Sequence, residues 1–315
     1  MKTVPLKLRG WGGAGMLLVC VAVGRGQQVP YFDGEQAFEL LEAQVDFGPR
    51  YPGSPGHQAM TAFLEDYLQT RAHQLAIQRT SRVHPYKDEQ LAIINFLARY
   101  NPSVRSRVMI LAHYDTREWA DQEDDPRKRS QPILGANDGA SGVAILLVLA
   151  DLLARDAPAI GVDLLFVDAE DLGKSGELGN YSLGIKAFLP EMMELLGGTR
   201  PRYAVLLDMV GDAQLSLPYE YYSWRDAGQL SRRIWNLALE LGYTQFRPEL
   251  GAAIYDDHVP LLEAGIPTVD IIDFNYPNTE ENYWHTLEDT PDKCSAESLE
   301  AVGTVIMHLI YREQP

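Results

Sequence analysis

Cysteine is almost missing from this chain of 315 residues: Cys20 and Cys294 are the only two. With Cys20 inside an N-terminal segment removable on export, one thiol remains, which excludes an internal disulfide and a thiolate metal site. Basic charge is scarce as well, with 27 Lys and Arg against 44 Asp and Glu and a formal net charge of -17. That balance argues against nucleic-acid binding and against docking on anionic lipid, since both need a basic face. No internal repeat and no low-complexity tract appears. The apolar run from Trp11 to Gly24, behind Lys2, Lys7 and Arg9, is too short to span a bilayer comfortably. It reads as an export signal over residues 1–26, either cleaved or kept as an anchor, with Cys20 as a candidate for lipid attachment. A secreted or periplasmic location follows from that reading.

What the chain does have is apolar runs that stop on acids or on histidine. VMILAHYD reaches His113 and Asp115, VDLLFVDAED reaches Glu170 and Asp171, YAVLLDMVGD passes Asp208, and PTVDIIDF runs to Asp273. Runs this rich in Val, Ile and Leu, separated by helical patterns, are the inner strands of a mostly parallel sheet covered on both faces. Side chains at the carboxyl ends of such strands share one crevice. Several carboxylates in one crevice repel and are costly to desolvate unless a cation or shared protons compensate, and a metal is the simplest compensation. The apolar content of 46% supports a substantial core. The expectation is one α/β domain over residues 27–315. EQAFELLEAQVDF and HQAMTAFLEDYLQTRAHQL are predicted helices, with edge strands around IQRTSRV and LAIINFLARY.

Each candidate has a bland reading beside its chemical one. Asp138 opens the apolar helix GANDGASGVAILLVLADLLARD, where a carboxylate serves as an N-cap, yet Gly135, Gly139 and Gly142 around it permit the close approach a bound ion requires. Glu170 and Asp171 are adjacent and so point in different directions. One can bind a cation while the other faces the open coordination position and moves protons. Asp256, Asp257 and His258 start a short helix, and one of the three is expected to cap it. His285 lies between Trp284 and Thr286 in a polar loop. Trp119, in the long loop after the strand at 108–113, is read as an anchor rather than a ligand contact. His57, His73, His84 and His308 lack comparable acidic company and carry no assignment.

Taken in order, HYD, GANDGASG, DAED, LLDMVGD, DDHVPLLEAGIP and WHTLEDT resemble the zinc aminopeptidases and glutaminyl cyclases of metallopeptidase family 28, over a stretch from about Phe47 to the C-terminus. The resemblance implies a single-domain, three-layer α/β/α sandwich around a mixed, mostly parallel sheet. It implies Asp138, Asp171 and His285 as ligands of a catalytic zinc and Glu170 as general acid and base. His113 and Asp208 complete a second metal site in the aminopeptidases, whereas cyclases keep both residues and bind one zinc. Nitrogen and oxygen ligands with an open fourth position suit catalytic zinc.

Within that family the Trp before His285, the doubled acid before His258, RYPGSPG and the segment around HYDTR look more like the cyclases. The resemblance then implies conversion of an N-terminal glutamine to pyroglutamate with loss of ammonia. Asp256 and Asp208 would hold Glu170 near neutrality, and Trp284 would shape the pocket. The dizinc aminopeptidase is the alternative, and a non-catalytic ectodomain of the same fold comes third. Two departures stand out: Asp171 occupies a position where most members carry Glu, and KSGELGNYSLG lacks the aromatic residue that animal cyclases place after the acidic pair. Tyr276 is assigned either to the pocket's aromatic wall or to loop packing.

Overall fold

The computed structural model describes residues 28–315, so the export segment and Cys20 lie outside the described residues. The strands are β1 (Gln74–Val83), β2 (Gln90–Tyr100), β3 (Arg107–His113), β4 (Gly161–Val167), β5 (Ala204–Asp208), β6 (Leu217–Tyr219), β7 (Phe246–Leu250) and β8 (Thr268–Ile272). The helices are α1 (Gly34–Val45), α2 (Pro55–Gln69), α3 (Ala140–Arg155), α4 (Leu183–Leu195), α5 (Tyr221–Glu240), α6 (His258–Glu263) and α7 (Ala296–Tyr311). Six strands form the central sheet in the order β1-β2-β4-β3-β5-β8. The β4–β3, β3–β5 and β5–β8 pairs are parallel, and the two involving β2 are antiparallel. A small parallel pair, β6–β7, stands apart.

Alternation along the inner strands builds a core on each face. Val108, Ile110, Ala112, Val162, Leu164, Phe166, Val205 and Leu207 pack with residues of α1, α2, α3, α5 and α7. Met109, Leu111, Leu165, Val167, Ala204 and Leu206 face the other way, onto Ile185, Phe188 and Met192 of α4 and Leu261 of α6. These are the three layers of the expected α/β/α sandwich. Helix α3 is buried almost throughout, as its all-round apolarity predicts. It lies so close to β5 that a Cβ at Gly142 would come within 2.2 Å of the Leu207 carbonyl oxygen.

One strand reading is corrected. LAIINFLARY, predicted as an edge, is β2, which pairs on both sides, while β1 takes the edge. The polar Asn95 and Arg99 made the segment look half-exposed. Both are buried and partnered: the Asn95 amide donates to Gln78 Oε1 and the Gly184 carbonyl, each at 2.9 Å, and Arg99 Nε donates to Asp163 at 3.0 Å. Among the described residues, no helix is long and apolar enough to cross a membrane.

Candidate metal centre and reaction pocket

The parallel strands end side by side, with His113 opposite Val167 and Asp208 opposite Ile272 in register. His113 and Asp208 are therefore strand-end residues, and Glu170 and Asp171 follow just beyond β4. Asp138 comes from the turn before α3 and His285 from the loop between β8 and α7. His285 Nε2 stands 3.3 Å from Asp171 Oδ1 and 3.5 Å from Asp138 Oδ2. Ligands about 2.0–2.1 Å from one centre at tetrahedral angles lie about 3.3–3.4 Å apart, so these two separations are close to the edges of a zinc sphere. Asp171 Oδ2 is buried and has no hydrogen-bond partner, a further acceptor aimed into the site. The residues present fit the metal the resemblance implies. Asp138 turns its other oxygen to a second histidine: His113 Nε2 lies 3.3 Å from Asp138 Oδ1 and 3.1 Å from Asp208 Oδ1. Both groups, His113–Asp138–Asp208 and Asp138–Asp171–His285, are fully buried.

Supporting residues fix these side chains from behind, as metal sites require. Asp289 accepts the backbone N–H groups of Asn137 and Asp138 at 2.7 and 3.1 Å. Asp115 accepts those of Glu170 and Asp171 at 3.0 and 3.2 Å. Arg117 Nη1 donates to Asp171 Oδ1 at 2.7 Å, bracing this short carboxylate. Asp121 Oδ1 lies 3.4 Å from His285 Nδ1. Ala169, Met209 and His285 itself adopt positive φ angles of 53°, 46° and 55°. Left-handed backbone at non-glycine residues is costly and collects at functional sites.

The adjacent acids diverge in charge state. Burial, reinforced by the charges of Asp256 and Asp171, pushes Glu170 well above the ordinary carboxylate range. Burial also acts against the charged form of Asp171, but His285 and Arg117 overcome it and hold Asp171 below that range. Environments that push two neighbours apart in this way separate proton transfer from ligation. Asp256 is pushed up to about 7 by burial and by Asp208. Burial would keep His113 neutral, yet Asp115, Asp138 and Asp208 raise it well above its usual value.

One small pocket gathers Asp138, Glu170, Asp171, Asp208, Asp256, Trp284 and His285. His113 sits behind it, against Asp138 and Asp208. Trp284 stacks on His285 with ring centroids 3.8 Å apart and meets Phe274 at 4.7 Å. Tyr276 is not part of the wall. It is fully buried, beside Asp289, and packs with Met209 and Ile272. The aromatic lining comes instead from Phe274, Tyr255 and Tyr181. Tyr181 lies in the loop that reads as lacking an aromatic, ten positions after Asp171. Trp119 is an anchor, held edge-on against Tyr86 and outside the pocket.

Other expectations change as well. Asp257 takes the N-cap position of α6, as expected of one of the three, but its side chain makes no capping hydrogen bond. His258 is buried between Glu220, 3.0 Å from Nε2, and Asp270, 3.5 Å from Nδ1. His57, set aside for want of acidic company, lies 2.9 Å from the buried Asp168. Its acid is 111 positions away, so no local pattern announces it.

With this geometry established, comparison with known proteins defines the class. The pattern described as Peptidase family M28 matches residues 95–310, and the chain belongs to that family. A glutaminyl cyclase structure from Bacteroides thetaiotaomicron, bound to N-acetylhistamine, is 34% identical with a TM-score of 0.86, covering 91% of this chain and 100% of that one. A Zn-dependent exopeptidase from Parabacteroides distasonis is 32% identical at a TM-score of 0.85, with 91% and 100% coverage. The glutaminyl-peptide cyclotransferase of Gloydius blomhoffii is 26% identical over 288 residues, 82% of this chain and 75% of its own length. The chain is therefore an enzyme of glutaminyl cyclase or M28 type.

Proposed function

We propose that this enzyme is a zinc-dependent glutaminyl-peptide cyclotransferase, acting on peptides or proteins that begin with glutamine. The observation that carries this reading is the opposed environment of Glu170 and Asp171 beside His285 and Asp138. Relatives and solved structures described as glutaminyl cyclases support the branch.

Asp138, Asp171 and His285 would hold the zinc, which when bound would supply electrophilic pull on the glutamine side-chain carbonyl. Glu170 takes a proton from the α-amine as its nitrogen bonds to the side-chain carbonyl carbon, Cδ, then delivers a proton to the amide nitrogen as the Cδ–N bond breaks and ammonia leaves. One C–N bond forms and one breaks, and the product is a neutral lactam. Asp256 acts through Glu170, its charge favouring the protonated form so that Glu170 can hold the proton in transit, and Asp208 acts one step further back, on Asp256. Trp284 and Phe274 narrow the pocket around a folded side chain. Because amine and carbonyl belong to one residue, orientation removes much of the barrier.

One zinc per chain is the count that the cyclase reading implies, with His113 and Asp208, 3.1 Å apart, then sharing a hydrogen bond. The second reading, a dizinc aminopeptidase, draws on Asp138, whose two oxygens face a histidine each. One assay separates them. Purified protein with its metal counted is given a Gln-initiated peptide and an ordinary aminoacyl amide, and ammonia and free amino acid are both measured. Ammonia release with about one zinc is expected for single-site ligation. Free amino acid without cyclisation overturns the cyclase. A periplasmic or secreted location rests on residues 1–26, and cell fractionation tests it.

A further inference from the structure

Of the four apolar runs that end on acids or on histidine, the one reaching Asp273 alone sends no acid to the metal centre. Asp273 lines a neighbouring cleft of about 400 Å³, compared with about 50 Å³ for the reaction pocket. The two share Ile254, Ile272 and Phe274, so they abut across an apolar wall. A pocket as small as the first holds the reacting head of a substrate, and the chain behind that head has to leave across one of its walls.

Beyond the shared wall the cleft is acidic. Asp273 is buried, 3% exposed, and accepts the Ser216 N–H at 2.7 Å. Glu249, on β7, also lines the cleft and is exposed. Arg247 stands 3.5 Å from Glu249 but is itself exposed and does not line the cleft. Glu220 lines it too, with its carboxylate already taken up by the backbone N–H groups of Tyr222, Ser223 and Ile254. Among the described residues the lining includes no lysine, arginine or histidine. Burial pushes Asp273 up to about 7, and a cation entering the cleft would draw it into its charged form.

We propose that this cleft receives the residues following the N-terminal glutamine and selects for a lysine or arginine side chain there over an acidic one. The inference rests on the cyclase reading. It assigns Glu249 and Asp273 as specificity-determining residues that touch the peptide and not the reacting atoms.

The test compares kcat/KM for Gln-Lys-Ala, Gln-Ala-Ala and Gln-Glu-Ala amides, with glutamine amide as the reference substrate. One exposed acid, and one buried acid that an entering cation would ionise, should separate the Lys and Glu peptides by about tenfold, mainly through KM and less so at high salt. Glu249→Lys and, from the other segment of the cleft, Thr279→Lys should each reduce that ratio about threefold. Both positions are exposed, so either variant can serve if the other fails to fold. A wild-type ratio within about twofold of unity, or one that neither variant moves, overturns the inference. If glutamine amide itself is not cyclised, the proposed function fails and takes the inference with it.

Discussion

Strand β4 carries buried acids at both ends, and the protein treats them differently. Near its start, Asp163 accepts Arg99 Nε at 3.0 Å, Arg107 Nε at 2.8 Å and Arg107 Nη2 at 2.6 Å. Arg107 in turn donates to the carbonyls of Tyr100, Asn101, Val104 and Val162, so both sides of the pair are satisfied. Beyond the other end, Glu170 and Asp171 meet Asp138, Asp208, Asp256 and Asp257, and the oxygens Asp171 Oδ2, Asp256 Oδ2 and both of Asp257 lack partners. Burying a carboxylate costs several kcal/mol, on the order of the whole stability of a domain, unless opposite charge compensates. At one end that charge is covalently part of the chain. At the other, Arg117 and His285 compensate Asp171, and on the proposed function the remaining acids are left to an exchangeable ion and to protons, which is what a reaction centre needs.

The largest expected effect is at the exchangeable end. Glu170→Gln should lower turnover of a Gln-initiated peptide by about 10³- to 10⁴-fold, the range for loss of a general acid and base. Zinc content should stay unchanged, because on the proposed function Glu170 does not ligate, and the metal-free protein should be no less stable, because a buried acid that folding forces to stay protonated is gone. Loss of zinc from this variant would mean that Glu170 and Asp171 have exchanged roles, and the contrast would break at its working end. At the fixed end, Arg107→Ala leaves Asp163 with Arg99 alone. Removing one partner of a buried pair should cost about 3–5 kcal/mol in denaturant unfolding, while catalysis by the folded fraction persists. A cost below about 1 kcal/mol, typical of surface pairs, would show that the arginines are not what makes Asp163 tolerable.

The exchangeable end was the more legible in sequence. Apolar runs stopping on His113, Glu170, Asp171 and Asp208 are local patterns, and the sheet brings them together because parallel strands end on one side. The fixed end was nearly invisible. Asp163 sits inside an apolar run, and its partners Arg99 and Arg107 are 64 and 56 positions away. The same distance problem hid His57 with Asp168 and His258 with Glu220 and Asp270. Arg99 and Asn95 on β2 made an interior strand look like an edge. Phe274 and Tyr276 are two residues apart on one loop, and only the path of that loop decides that Phe274 faces the pocket and Tyr276 the interior. Tyr181 depends in the same way on the fold of residues 172–182. The pair β6–β7 escaped because one strand is three residues long with a proline at its centre.

Asp273 offers a third arrangement, neither arginine nor metal. Burial pushes it up to about 7 from an ordinary value of 3.8, so in the folded state a proton is its compensation. The sign follows from linkage. Between about pH 4 and 7 the unfolded chain has released this proton while the folded chain still binds it, so stability falls as pH rises, and the loss is complete above about 7. Asp273→Asn can still accept the Ser216 N–H but cannot ionise. Urea midpoints of metal-free wild type and variant, taken at several pH values across that window, should coincide near its acid end. They should diverge on the order of 1–3 kcal/mol in favour of the variant by its alkaline end. Parallel curves would mean that the cleft solvates the carboxylate without needing the proton, and that only two arrangements, not three, operate at these strand ends. Divergence that disappears when a lysine peptide fills the cleft would connect the proton to the substrate, because a cation there would make the charged form the stable one.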